Sequence, residues 1–175
     1  MLDIAVAYNR YKFLGNEFLT WLWFAIDSEA EQFFDNTKTP FLVEIGNRII
    51  FENIIDDNTI ETISIKGDNA GLEEGRLAIK KGSVVTELNL KLTYVEQVWN
   101  FNLKGENFNF TGFKHPETEK VEKKEDLEGA LLEKVYLYGK AFELTDSVFK
   151  KFIELRLSEK WNNEIINDIK NWINK

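Results

Sequence analysis

The sequence predicts an α+β fold: an antiparallel sheet with an N-terminal buried helix and C-terminal helices packed on it. Three observations carry this. The opening third contains "NEFLTWLWFAID" (residues 16–27), where no charge falls between Glu17 and Asp27. The middle alternates apolar and polar residues with period two. From Leu127 onward apolar residues recur at steps of three and four.

From Phe13 to about Ile26 apolar residues occupy nearly every angular position, so a helix there has no polar face and is expected in the core or against another subunit. "SEAEQFFDNTKTP" is polar, ends at Pro40 and reads as a loop. In "FLVEIGNRIIFENI" the Gly46-Asn47 dipeptide predicts a hairpin turn between two short strands. The cluster Asp56-Asp57-Asn58 predicts a second turn into "TIETISIKG", completing a three-strand meander. "DNAGLEEGRLAIKKG" changes the period: Asp68 or Asn69 can cap a short helix from about Leu72, and Gly82 can end it.

Alternation returns in "VVTELNLKLTY", with Leu88, Leu90, Leu92 and Tyr94 on one face and Glu87, Asn89, Lys91 and Thr93 on the other. Strands are predicted near 84–94, 97–103 and 107–112, with Leu88, Leu90, Trp99, Phe101 and Phe108 on the packed face. Pro116 ends the sheet and a charged linker comes after it. Leu127, Leu131, Val135, Tyr138 and Phe142 then share one helix face. Phe149, Phe152 and Ile153 resume the stripe after Thr145-Asp146, which can restart the helix. Ser158 can cap a last helix carrying Trp161, Ile165, Ile169 and Trp172. The chain reads as a single domain, 1–175, with helix and sheet over 1–115, the linker over 116–126 and a helical part over 127–175.

Composition narrows the function classes. The chain is 43% hydrophobic, too apolar for disorder, and without cysteine it has no disulfides or thiolate metal sites. The longest uncharged run, Phe18 to Ile26, is far short of the roughly 20 residues a bilayer span needs, so no membrane association is expected. "MLDIAVAYNRYKF" lacks the basic region of a signal peptide, which places the expected location in the cytoplasm. The net charge of −8 divides into −7 over residues 1–69, +1 over 70–115 and −2 over 116–175. Only the middle segment escapes the objection that an acidic surface repels phosphates.

The residues of chemistry are sparse. His115 is the single histidine, with no cysteine or second histidine to join it on a metal and nothing like G-x-S-x-G for a triad. Gly71, Gly75 and Gly82 are too widely spaced to cradle a phosphate. The carboxylate pairs Asp56-Asp57, Glu73-Glu74 and Glu125-Asp126 fall in a turn, a helix start and a linker. Neither an enzyme nor a cofactor is expected. What remains is a basic cluster, Arg76, Lys80 and Lys81, with Lys91 and Lys104 on the strands behind it. One reading has Lys80 and Lys81 complement a helix C-terminus. The other has the five contact DNA phosphates.

The stretch "LGNEFLTWLWF" (Leu14 to Phe24) resembles a motif of the recombination-associated RdgC family. "GLEEGRLAIKKGSVVTELNLKL", "FTGFKHP" and "LLEKVYLYGKAFELTDSVFKKFIELRLSEKW" resemble further stretches of that family, in the same order, from Phe13 to Trp161. The resemblance implies a nucleoid protein that binds double-stranded DNA without sequence preference, as a ring-shaped homodimer, and restrains RecA recombinase. The family's N-terminal half has no counterpart before Tyr8, so a separate partner chain is expected to supply it where a second copy does not. Trp21, Trp23 and Phe24 would then be left at an interface, with Trp161 and Trp172 adding to self-association. The competing expectation is an interaction module that keeps the fold, has lost DNA binding and acts through a partner chain.

Overall fold

A computed structural model describes residues 4–56, 59–67, 72–118 and 127–175, the side chains of 4–13, 56 and 72 excepted. The proposed cap at Asp68 or Asn69 and most of the charged linker lie outside these residues. Helix α1 (Ile4–Asp27) leads into β1 (Phe33–Phe34), β2 (Pro40–Asp56) and β3 (Thr59–Lys66). Helix α2 (Leu72–Lys80) precedes β4 (Val84–Tyr94), β5 (Gln97–Lys104) and β6 (Phe110–Lys114). The long α3 (Leu127–Leu157) and α4 (Ile166–Ile173) close the chain, joined by a π-helical turn at Trp161–Ile165. The α+β architecture is as expected, with the six strands in one antiparallel sheet of order β1-β2-β4-β5-β6 and β3 paired on β2.

The predicted hairpin at Gly46-Asn47 is absent, because both residues sit inside the continuous strand β2. The register against β4 advances from Ile45↔Leu90 to Ile49↔Leu88, so β2 spends extra residues opposite Asn89. This is a bulge, which bends a strand without reversing it. Asn89 stabilises it from below. Its side-chain oxygen accepts from the Asn47 N–H at 3.1 Å. Its amide group lies 3.0 Å from Asn100 Oδ1 and 2.9 Å from Asn102 Oδ1. A Cβ on residue 46 would lie 1.8 Å from Asn89 Oδ1, so any larger residue would have to displace the Asn89 side chain from these bonds. The stretch read as a loop before Pro40 also contributes the short β1, paired back onto Phe41 and Pro40.

Leu88, Leu90, Trp99 and Phe101 are buried on the packed face as predicted. Phe108 differs in detail: it lies in the β5–β6 turn with φ of 56° and reaches the core from there, its ring 5.7 Å from Phe18 and 4.8 Å from Phe149. Gly82, at φ of +96°, ends α2 as predicted. Thr145-Asp146 does not restart a helix. The Thr145 hydroxyl donates to the Ala141 carbonyl at 2.9 Å and α3 runs on unbroken. Nor does Ser158 cap the last helical segment, because its hydroxyl turns back to the Leu155 carbonyl at 2.7 Å.

The helices cover one face of the sheet. Trp99 Nε1 donates to the Leu137 carbonyl at 3.1 Å, tying β5 to α3. Trp23 packs edge-on against Phe51 of β2 and Trp172 of α4, with ring centroids 5.8 and 4.9 Å apart. The opposite face is polar, with Glu44 and Lys91 directly paired across β2 and β4.

Gly46→Ala is expected to lower unfolding free energy by about 1–3 kcal/mol through overpacking. Asn89→Ala, which costs its own hydrogen bonds, should cost clearly less in the Gly46→Ala background because it removes the clash. Urea unfolding of the two single variants and the double checks this non-additivity.

Candidate functional site

The five basic residues proposed for DNA do not come together as a patch. Arg76 turns inward: its guanidinium lies 3.6 Å from Asp27 Oδ2, and both side chains are mostly buried. The same carboxylate accepts the Trp172 indole N–H, so Asp27 joins α1, α2 and α4. Lys91 pairs with Glu44 at 2.8 Å on the polar sheet face. Lys104 lines a cleft of about 200 Å³ in company with Glu52, Glu87 and Glu106, an environment that repels phosphate. Lys80 and Lys81 are exposed at the end of α2, where they complement its C-terminal dipole.

Trp21, Trp23 and Phe24 are not left at a surface. They are 1%, 0% and 5% exposed, and Trp161 and Trp172 are equally buried. The expectation that these aromatics form an interface is therefore corrected. The reason is that α3 and α4 fold back over α1 and cover it, with Phe18 packed against Phe149 and Phe152 at 5.1 and 5.4 Å.

Sequence reasoning missed a buried charge centre that fixes where α3 meets the sheet. Asp35 Oδ1 accepts from the Thr37 hydroxyl at 2.7 Å and from the N–H groups of Thr37 and Thr39 at 2.8 and 2.9 Å. Its Oδ2 accepts from the Tyr94 hydroxyl at 2.9 Å and from Lys140 Nζ at 3.2 Å. Lys140 also bonds Glu143 at 3.2 Å and lies over the Tyr94 ring, 4.4 Å from its centroid. Burial opposes ionisation of Asp35, but the bonds from Thr37, Thr39, Tyr94 and Lys140 outweigh it and hold the carboxyl below the usual range. Burial likewise works against the Lys140 charge, and the bonds to Asp35 and Glu143 outweigh it. Two sequence signals point here: an Asp-x-Thr turn, and a lysine beside Leu137, Ala141 and Leu144 on the core side of the helix.

Leu137 and Lys140 mark the start of the anchored part of α3. N-terminal to them, every residue from 127 to 136 is exposed except Ala130, which is half-buried. The predicted stripe Leu127, Leu131, Val135, Tyr138 and Phe142 does share a face, but that face points to solvent, the five being 41–61% exposed. It runs onto an aromatic row on β6 and β5. Phe142 stacks on Phe110 at 4.4 Å, Phe110 on Phe101 at 4.2 Å, and Tyr138 on Phe113 at 4.3 Å. Beside the row, Phe108, Phe110, Phe142 and Phe149 line an open apolar cleft of about 200 Å³ with Asp146 at its rim.

His115 sits near this row, its Nδ1 2.6 Å from the Pro116 carbonyl oxygen. Among the described residues no group of three or more histidine, aspartate or glutamate side chains could hold a metal ion. No helix among them is long and apolar enough to cross a membrane.

Two outcomes are expected from these pairings. Asp35's folded pKa lies below its unfolded value of about 3.9, so the stability its charge contributes is fully present above the unfolded value and is lost as pH falls from there through the folded one. Asp35→Asn should be less stable than the wild type at pH 7, with a shallower loss below about pH 4 in acid titrations of the thermal midpoint. Arg76→Ala should cost about 1 kcal/mol in urea unfolding by leaving Asp27 short of a partner, whereas Lys80→Ala and Lys81→Ala should cost a few tenths.

No protein-family model matches this chain, and no match is found among curated proteins or among solved structures.

Proposed function

We propose that this protein is an interaction module that acts by binding a partner chain on the solvent-facing side of α3 and the aromatic row beside it. The single observation that carries this reading is the exposed stripe from Leu127 to Phe142. A ten-residue helical extension that is exposed among the described residues draws little stability from propensity alone, because helices in proteins are held by burial of an apolar face. Contiguous apolar surface of this extent on a chain with net charge −8 marks a contact site. The residues there are aromatic and aliphatic with few charges, the composition of an interface centre.

The DNA reading has its own support in the RdgC-like motifs and in Lys80 and Lys81, which are exposed and without an ion-pair partner among the described residues. It would require these two lysines to hold a duplex with Arg76 and Lys91 already engaged by carboxylates.

The two readings separate in one pair of measurements. A photoreactive amino acid at position 135, introduced in cells, is expected to form protein adducts, while the same group at Glu96 in the β4–β5 turn is not. A titration with duplex DNA at two salt concentrations is expected to show no affinity that falls steeply with salt. A log–log slope of about −0.9 per phosphate, with no adduct at 135, would reverse the assignment in favour of DNA.

A further inference from the structure

We propose that the open cleft among Phe108, Phe110, Phe142 and Phe149 is a binding site for the trimethylammonium group of a small free molecule. Such a site needs no partner chain and stands apart from the contact proposed above.

Cations in this fold are repeatedly held within reach of both a ring and a carboxylate. Lys140 Nζ lies 4.4 Å from the Tyr94 centroid and 3.2 Å from Asp35. Lys151 Nζ lies 5.9 Å from the Phe33 centroid and 2.6 Å from Glu31. The Arg156 guanidinium lies 5.3 Å from the Trp161 centroid, with its Nε 3.0 Å from Glu17. The cleft has the same two parts without the cation. Phe142 and Phe149 stand four residues before and three after Asp146, which brings both rings to its carboxylate on one side of α3. Among the described residues no cation lies over any of the four rings. Lys150 reaches Asp146 at 2.8 Å, but both side chains are more than half exposed, so this pair holds the carboxylate only weakly.

The lining selects the class of cation. Thr145 spends its hydroxyl hydrogen on the Ala141 carbonyl, and the other lining side chains are four phenyl rings and a carboxylate. Phosphates, carboxylates and sugars find no side-chain donor there. A primary ammonium or guanidinium would set most of its N–H groups against hydrocarbon, at a cost of the same order as the ring attraction gained. A trimethylammonium group carries its charge with no N–H to satisfy, and its methyl groups are themselves apolar. The rings are fixed in advance: Phe142 lies on Phe110 and Phe110 on Phe101, while Phe149 packs edge-on to Phe18 and Phe108. The volume of about 200 Å³ suits one such head with a short tail. A peptide carrying a methylated lysine fits less well, because its backbone brings polar groups that this lining cannot pair.

The test is an amide NMR titration of the isotope-labelled full chain. Choline is expected to shift the residues that line the cleft, saturating at tens of millimolar. Its neutral tert-butyl isostere, with carbon in place of the nitrogen, should bind about fivefold more weakly, because it fills the same space without the charge. Phe142 is 52% exposed, so Phe142→Leu should keep the fold, as circular dichroism would check, and abolish the preference for choline over the isostere. Asp146→Asn should reduce that preference by a similar factor. No shift at tens of millimolar choline, or shifts centred elsewhere, overturns the site. Equal affinity for choline and the isostere overturns the cationic class, and a preference that survives both substitutions overturns recognition by ring and carboxylate. A trimethyllysine peptide that binds more tightly than choline overturns the assignment to a small free molecule.

Discussion

Helix α1 must be surrounded, and the placement of every other element answers to that. Between Glu17 and Asp27 it has no polar face to offer water: Phe18, Leu19, Trp21, Leu22 and Trp23 are all at most 1% exposed. One sheet can cover only one side of such a helix. The other side is closed by α3 through Phe149 and Phe152 and by α4 through Trp172. The two helices at the end of the chain are therefore held by residues near its beginning, and helices segregate to one side of the sheet because the large buried apolar residues of β2, β4 and β5, such as Phe51, Leu88, Leu90, Trp99 and Phe101, point there.

Charge is organised around the same assembly. Asp27 and Asp35 lie at the end of α1 and in the turn between β1 and β2, yet each collects donors from distant segments: Arg76 and Trp172 for the first, Tyr94 and Lys140 for the second. A buried carboxylate of this kind is tolerated only when its lone pairs are filled. The consequence for function is subtraction. Of the cations that would count toward a nucleic-acid surface on sequence alone, Arg76 is spent inside the fold and Lys91 on the opposite strand, while Lys80 and Lys81 stay exposed on a chain of net charge −8.

Helix α3 changes role along its length. From Leu137 to Phe152 its inner side is buried, and Trp99 bonds a backbone carbonyl at the first of those residues. Before that point it stands clear of the sheet with its apolar stripe exposed. A helix in this position costs little extra to propagate, since nucleation is already provided by the anchored turns. It presents apolar surface to solvent without disturbing the core that supports it.

The sequence by itself determined the elements whose periodicity is strong and local. The alternation of "VVTELNLKLTY", the stop at Gly82 and the uncharged helix around Trp21 are properties of neighbouring residues, and so is the α+β class they add up to. Tertiary structure alone decided the rest. Gly46-Asn47 reads as a turn, but Asn89, 42 positions away, supplies the acceptor that lets the strand pass through it. The Arg76–Asp27 and Lys140–Asp35 pairs join residues far apart in the chain, and no local pattern announces such partners. The sides of α3 and α1 were decided in the same way. Periodicity shows that a helix has an apolar stripe, but whether the chain covers it depends on how much apolar surface the other elements bring and where the sheet ends. Here α1 takes the cover, and the stripe of α3 is left to solvent.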